Sequence, residues 1–189
     1  MWIAFHKPYG VLCQFTPELA GQRTLADFGF PKHVYPLGRL DMDSEGLLLL
    51  CDEAGVNHRL LDPTAAHPRS YWAQVEGVPQ LADVAKLARG GIQIRGDLTR
   101  PCEAEILLEP PVLSEREPPV RFRKAIPTSW LRLSLVEGKN RQVRRMTAAV
   151  GLPTLRLIRH SIGTLQLGTL PCGQWKELSP TEIQSAWAH

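Results

Sequence analysis

Residues 47–51 form an unbroken apolar run, Leu47-Leu48-Leu49-Leu50-Cys51, bounded by Gly46 and Asp52. Five residues are too few for a core helix, so the run reads as a strand buried on both faces. An acidic loop, Gly38-Arg39-Leu40-Asp41-Met42-Asp43-Ser44-Glu45-Gly46, leads directly into it. A rigid buried strand behind such a loop can hold a carboxylate at the mouth of a sheet. Arg39 stands two residues before Asp41, where a phosphate can be held. Three chemistries use a loop of this kind. Calcium binding is suggested by Asp41, Asp43, Glu45 and Gly46, but the ninth position is Leu49 and the twelfth is Asp52 rather than a bidentate Glu. Asp and Ser also stabilise turns through bonds to their own backbone. The third use is catalysis by one of the two aspartates, between which the chemistry of the loop alone does not choose.

The other elements are short. Strands are predicted over 2–5 and 11–15, with Lys7-Pro8-Tyr9-Gly10 as the turn between them and a helical turn capped by Thr24. Residues 31–39 read as irregular. Asp52 is placed as the cap of a helix running to about Leu61 and ended by Asp62-Pro63. A strand over 70–78 precedes a helix over 80–89 that stops at Gly90-Gly91. Strands follow at 92–94 and 104–108, and then the Pro-rich stretch 109–119, read as a connection between two lobes. A strand near 131–136 leads to a helix capped by Asn140 and closed after Val150. Strands at 155–158 and 164–167 and a helix over 180–188 end the chain. Without regular β-α-β alternation, the order predicts an α+β fold.

Charge is uneven. Between Arg121 and Arg159 lie ten basic residues and one acidic residue, Glu137; this local +9, in a chain whose total is +3, leaves −6 elsewhere. Eight of the ten are arginines, whose planar forks match phosphate oxygens, so one face is expected to meet a polyanion. Cys13, Cys51, Cys102 and Cys172 are widely spaced and form no C-x-x-C pair, and the six histidines are scattered, so no metal site is expected. No apolar run reaches the length of a membrane span, and the start breaks too early at Pro8 for a signal peptide. A cytoplasmic, monomeric protein is expected.

Four segments, in order, resemble the motifs of pseudouridine synthases of the branch that modifies ribosomal RNA. Gly38-Arg39-Leu40-Asp41-x-x-Ser44-x-Gly46-Leu47-Leu48 resembles the catalytic motif, whose Asp after Arg-Leu maps onto Asp41 and not Asp43. Lys7-Pro8-x-Gly10 resembles a first motif that supports the catalytic loop. Tyr71-x-x-Gln74-Val75-Glu76-Gly77 resembles the strand whose Tyr stacks on the target base, and Glu137-Gly138-Lys139-Asn140-Arg141-Gln142-Val143-Arg144-Arg145-Met146 resembles a basic helix motif whose residue after Gln-Val, here Arg144, pairs with the aspartate. The match runs from Trp2 to about Leu178. Arg69-Ser70 stands where a Lys often begins the strand, and Asn140-Arg141 replaces a usual aromatic-His pair. Pro127-Thr128-Ser129-Trp130-Leu131, and a start without an S4 RNA-binding module, resemble members acting on large-subunit (23S) RNA.

The resemblance implies one catalytic domain over 1–189 with the pseudouridine synthase fold: a mixed, mostly antiparallel sheet flanked by helices, in two lobes around a central cleft. It implies isomerisation of a uridine in ribosomal RNA by Asp41, Tyr71 and Arg144. The charge pattern and the place of Arg39 add an expectation of RNA contacts from Arg39, Lys139, Arg141, Arg145 and Arg159. Isomerisation involves no net redox change, hydrolysis or group donor, so no cofactor is expected. The alternative is a non-catalytic RNA-binding module, which would share the basic stretch.

Overall fold

The computed structural model of the chain describes residues 1–61, 67–121, 123 and 125–188. In chain order the elements are β1 (Trp2–Lys7), β2 (Val11–Leu12), β3 (Arg23–Thr24), a helical turn (Leu25–Phe28), β4 (Tyr35–Leu37), β5 (Glu45–Cys51), α1 (Val56–Leu61), β6 (Arg69–Glu76), α2 (Leu81–Arg89), β7 (Gln93–Ile94), β8 (Asp97–Leu98) and β9 (Glu103–Leu107). There follow β10 (Thr128–Leu135), α3 (Gln142–Ala149), β11 (Thr154–Ile162), β12 (Leu165–Gln166), β13 (Trp175–Glu177) and α4 (Pro180–Trp187). Two compact units result, one from 1–67 with 158–189 and the other from 68–157. The divisions therefore fall beside Pro68 and Ile158, and the Pro-rich stretch 109–119, read from sequence as the connection, lies within the second unit.

In the first unit β5 is the axis. All seven of its residues are buried, as its leucine run requires. It pairs antiparallel with β1 (Phe5↔Leu48) and β4 (Leu37↔Leu49), and parallel with β11 (Ile158↔Glu45). β13 adds to the far side of β1 through Ile3↔Glu177. Phe5, fully buried, packs its ring 4.8 Å from Phe28 and 5.0 Å from Phe30. The helical turn is capped by Thr24, whose Oγ1 accepts from Ala26 N while Asp27 Oδ2 accepts from Thr24 N. Ser179 and Glu182 cap α4 in the same way. The helix expected to start at Asp52 begins instead at Val56, because Asp52 is bound to the Met1 amino group. Its predicted end at Asp62-Pro63 lies outside the described residues.

The second unit pairs β10 antiparallel with β6 (Leu133↔Tyr71) and β9 (Leu133↔Ala104). Period-2 alternation sends Ala73, Val75, Leu131, Leu133 and Leu135 to one face, where Leu87 of α2 and Val143 and Met146 of α3 cover them. Along the loop 109–120, Arg116 donates to the carbonyls of Pro118 and Pro119, and Arg156 donates to Ser114 O. A cavity of about 370 Å³ lies there, lined in part by Gln74, Trp130 and Arg156. Among the described residues no helix is long and apolar enough to cross a membrane.

Candidate active site

The loop 38–46 is held through its backbone. Ser44 N donates to Asp41 O (3.0 Å), closing a turn around Met42 and Asp43. Gly10 N donates to Met42 O (2.8 Å), and Leu40 N donates to Cys13 Sγ (3.2 Å). Lys7, at the end of β1 and fully buried, directs its Nζ to the carbonyls of Ser44 (2.7 Å), Pro8 (2.8 Å) and Met42 (3.4 Å). Three carbonyl acceptors suit the three N–H groups of an ammonium. Asp41 itself is half-buried at the top of this turn.

Burial pushes the Lys7 ammonium down from its usual 10.5 to about 8, against the opposing pull of Cys13, Glu45, Asp43 and Asp41. The folded chain therefore holds this proton less tightly than the unfolded chain does. Between about pH 8 and 10.5 the free energy of unfolding should rise with pH, by on the order of 3 kcal/mol from this group. Urea unfolding across that window should show the rise in the wild type and lack it in Lys7→Met; equal slopes in the two would contradict the burial of a charged lysine.

Where the loop enters β5, Gly46 has φ +104°, and a Cβ there would lie 2.3 Å from Arg159 O and 2.7 Å from Arg159 N. Neither the conformation nor the space admits a side chain. Gly46→Ala should cost about 3 kcal/mol in urea unfolding. A loss below about 0.5 kcal/mol would show that β11 can move away from β5 at little cost. Arg159 is 4% exposed, and its Nε donates to Leu47 O (2.8 Å). The guanidinium that the charge count assigned to RNA is thus enclosed within the first unit, where it holds the start of β5.

In the second unit Tyr71 lies on β6 opposite Leu133, its partly buried ring packed against the cluster under α2 and α3. Gln142, 4% exposed, fixes the entry to α3: its Oε1 accepts from Lys139 N (2.9 Å), and its Nε2 donates to Glu137 Oε1. Arg141, not Asn140, is the cap residue, in the left-handed region at φ 53°, while Asn140 Oδ1 accepts from Arg145 Nη2 (3.0 Å). Arg144 is half-buried and donates from Nη1 to Thr154 O (3.2 Å). Lys139 donates to Leu98 O (2.8 Å) and lies 3.7 Å from Glu137.

The residues assigned from sequence fall into two sets. Asp41, Arg39 and Arg159 belong to the first unit; Tyr71, Lys139, Arg141, Arg144 and Arg145 belong to the second. Arg39 and Arg141 are exposed, and Arg144 and Arg145 are half-buried. The carbonyl bonds of Lys7 and the amide of Gln142 are supports that charge and periodicity did not reveal. A Lys closing a strand that begins with the apolar run Trp2-Ile3-Ala4-Phe5 is the signal that marks the first of them. The side chains of Cys51, Asp52 and Glu53 are close enough to share a metal ion, but Asp52 binds the Met1 amino group and Glu53 accepts from Trp2 Nε1.

Residues 1–149 match the family model described as RNA pseudouridylate synthase. The chain is 50% identical over 177 residues to the ribosomal large subunit pseudouridine synthase E of Xanthomonas campestris pv. campestris, covering 93% of this chain and 94% of that protein. It is 49% identical over 176 residues to the protein of the same name from Vibrio parahaemolyticus, covering 93% and 73%. A crystal structure titled as a pseudouridylate synthase superposes with a TM-score of 0.79 at 27% identity, over 98% of this chain and 73% of that one. The mixed, mostly antiparallel sheet of this chain, with its helices, is the α+β fold expected from the motifs. With its glycine-fixed strand and lysine-held acidic loop, the chain belongs to the RNA pseudouridylate synthase family and is an isomerase of the type resembling large-subunit synthase E.

Proposed function

We propose that this chain converts a uridine of large-subunit (23S) ribosomal RNA to pseudouridine, with Asp41 as the essential group and no cofactor. One observation carries the reading: a half-buried carboxylate sits on a turn whose surrounding carbonyls are bound by Lys7, Gly10 and Ser44. Such a carboxylate is held in place before substrate arrives, as positional catalysis requires. The names of the relatives from Xanthomonas and Vibrio support the choice of RNA.

The reaction breaks the bond from ribose C1′ to base N1, turns the uracil, and joins C1′ to C5, from which a proton leaves. Asp41 acts on the ribose, either as nucleophile or as the base that takes a ribose proton. Arg144 orients Asp41 and balances its charge, and Tyr71 stacks on the uracil while it turns. The uridine leaves its stack to reach Asp41. Arg39, Lys139, Arg141 and Arg145 contact phosphates around it, which makes binding salt-dependent. The protein works in the cytoplasm as a monomer.

Loss of the C5 proton supplies the test. Ribosomal RNA transcribed with uracil tritiated at C5 should release tritium in proportion to pseudouridine formed. RNA binding without release would leave a binding module and overturn the proposal.

A further inference from the structure

We infer that the cavity beside the loop 109–120 of the second unit binds an unpaired purine nucleotide of the RNA, an inference that rests on the proposal that the chain acts on ribosomal RNA. Every lining residue belongs to that unit. Two of them, Trp130 of β10 and Gln74 of β6, stand directly opposite each other in the antiparallel pair. Alternation along β6 puts Gln74 on the face away from Tyr71, Ala73 and Val75, which turn to the core cluster. The cavity and the Tyr assigned to the target uracil therefore lie on opposite faces of this sheet. The bound purine is a second nucleotide, not the target.

A loop that merely shielded Trp130 would close on the ring. Instead a volume of about 370 Å³ remains, within the ~300–1,000 Å³ of small-molecule sites. Trp130 is half-buried and lines this space, and an aromatic face is what holds a splayed-out RNA base. Gln74 beside it makes one long bond, from Nε2 to Thr128 Oγ1 (3.5 Å). Its carboxamide sets a donor beside an acceptor, which matches N6–H and N1 of adenine as well as N1–H and O6 of guanine. Arg156, 7% exposed, donates from Nη1 to Ser114 O (3.1 Å). Arg116 donates from Nε to Pro118 O (2.8 Å) and from Nη2 to Pro119 O (3.1 Å). Neutral carbonyls fix these guanidinium groups without cancelling their charge. Against them the lining sets one carboxylate, Glu115, and the excess of positive charge suits a nucleotide's phosphate. Arg121, exposed just beyond the loop, extends it.

The test follows the indole N–H resonance of Trp130 in the isotope-labelled full chain, assigned by its loss in Trp130→Phe. Adenosine monophosphate should move this resonance saturably, and Gln74→Leu should weaken that binding by about fivefold or more. Inorganic phosphate alone should leave it in place. No shift with the nucleotide overturns the pocket, as does an unchanged affinity in Gln74→Leu. An equal shift with phosphate alone would mark an anion site and overturn it too. In the large-subunit RNA, abasic replacement of one unpaired purine should weaken binding to the wild type by about fivefold or more, and to Gln74→Leu by less. The absence of any such position would contradict the purine. Tritium release on the same RNA keeps the two readings apart: a shift without release retains the pocket and sinks the enzyme, whereas release without a shift does the reverse.

Discussion

Asp41→Asn should lower pseudouridine formation by at least about 10⁴-fold while leaving the affinity for RNA within about threefold, because it removes the reacting group and keeps the loop's shape. The size of the effect follows from the role. A carboxylate that attacks ribose or takes its proton has no substitute in an amide, whereas a turn-stabilising aspartate does. The loop's own bonds sharpen the contrast. Its carbonyls are held by donors from Lys7, Gly10 and Ser44, so the variant should fold with a thermal midpoint within about 2 °C of the wild type. Single-turnover rates and filter binding on the same RNA measure both arms. Turnover near the wild-type rate would remove Asp41 from the chemistry. Loss of folding would reassign it to the turn.

Arg144→Ala should cost about a hundredfold or more in kcat under the proposed mechanism, in which its charge orients the reacting carboxylate and so contributes through preorganisation. Arg144 is a positioning residue in this account, so its test needs a readout that a structural defect would not move. Guanidinium ion added to Arg144→Ala should restore part of the rate, and Arg144→Lys should retain an intermediate rate without the bidentate geometry. The Nη1 bond to Thr154 O shows what else the side chain does: it ties α3 to the start of β11. A loss of rate that guanidinium does not relieve, matched by a loss of stability, would confine Arg144 to that structural task.

The parts of the fold that were legible carry their own periodicity. The leucine run became β5, the helical spacing of residues 81–89 became α2, and the helix expected over 180–188 became α4. The elements that escaped are made by distant partners. Residues 31–39 read as irregular because Tyr35-Pro36-Leu37 carries a proline, yet these three residues form β4 at the edge of β5. Trp175–Glu177 has no pattern of its own and becomes a strand by pairing with β1, through partners as distant as Ile3↔Glu177. Asn140 has the chemistry of a helix cap, but its side chain is occupied by Arg145, and the left-handed Arg141 takes the position.

The site shows the same division. Alternation along β6 places Tyr71 on the face shared with Ala73 and Val75, and the motif spacing places Asp41 at the entry to β5. The charge of the basic stretch pointed to one face that meets a polyanion, and Arg159 was counted with it. Charge alone could not foresee that Arg159 would be enclosed, with its guanidinium on the Leu47 carbonyl. Lys7 was legible as part of a supporting motif, but not as an ammonium coordinated by three carbonyls. Those interactions join residues 7 and 44, or 47 and 159, and no local pattern encodes them.

The central claim is that a single immobilised carboxylate makes this chain a modifier of large-subunit ribosomal RNA. Pseudouridine mapping of 23S RNA from cells that lack the chain, complemented with the wild type or with Asp41→Asn, tests it most directly. The account predicts one large-subunit position that loses its pseudouridine in the deletion, regains it with the wild type, and stays unmodified with Asp41→Asn. An unchanged map in the deletion, or a position restored by Asp41→Asn, would contradict it.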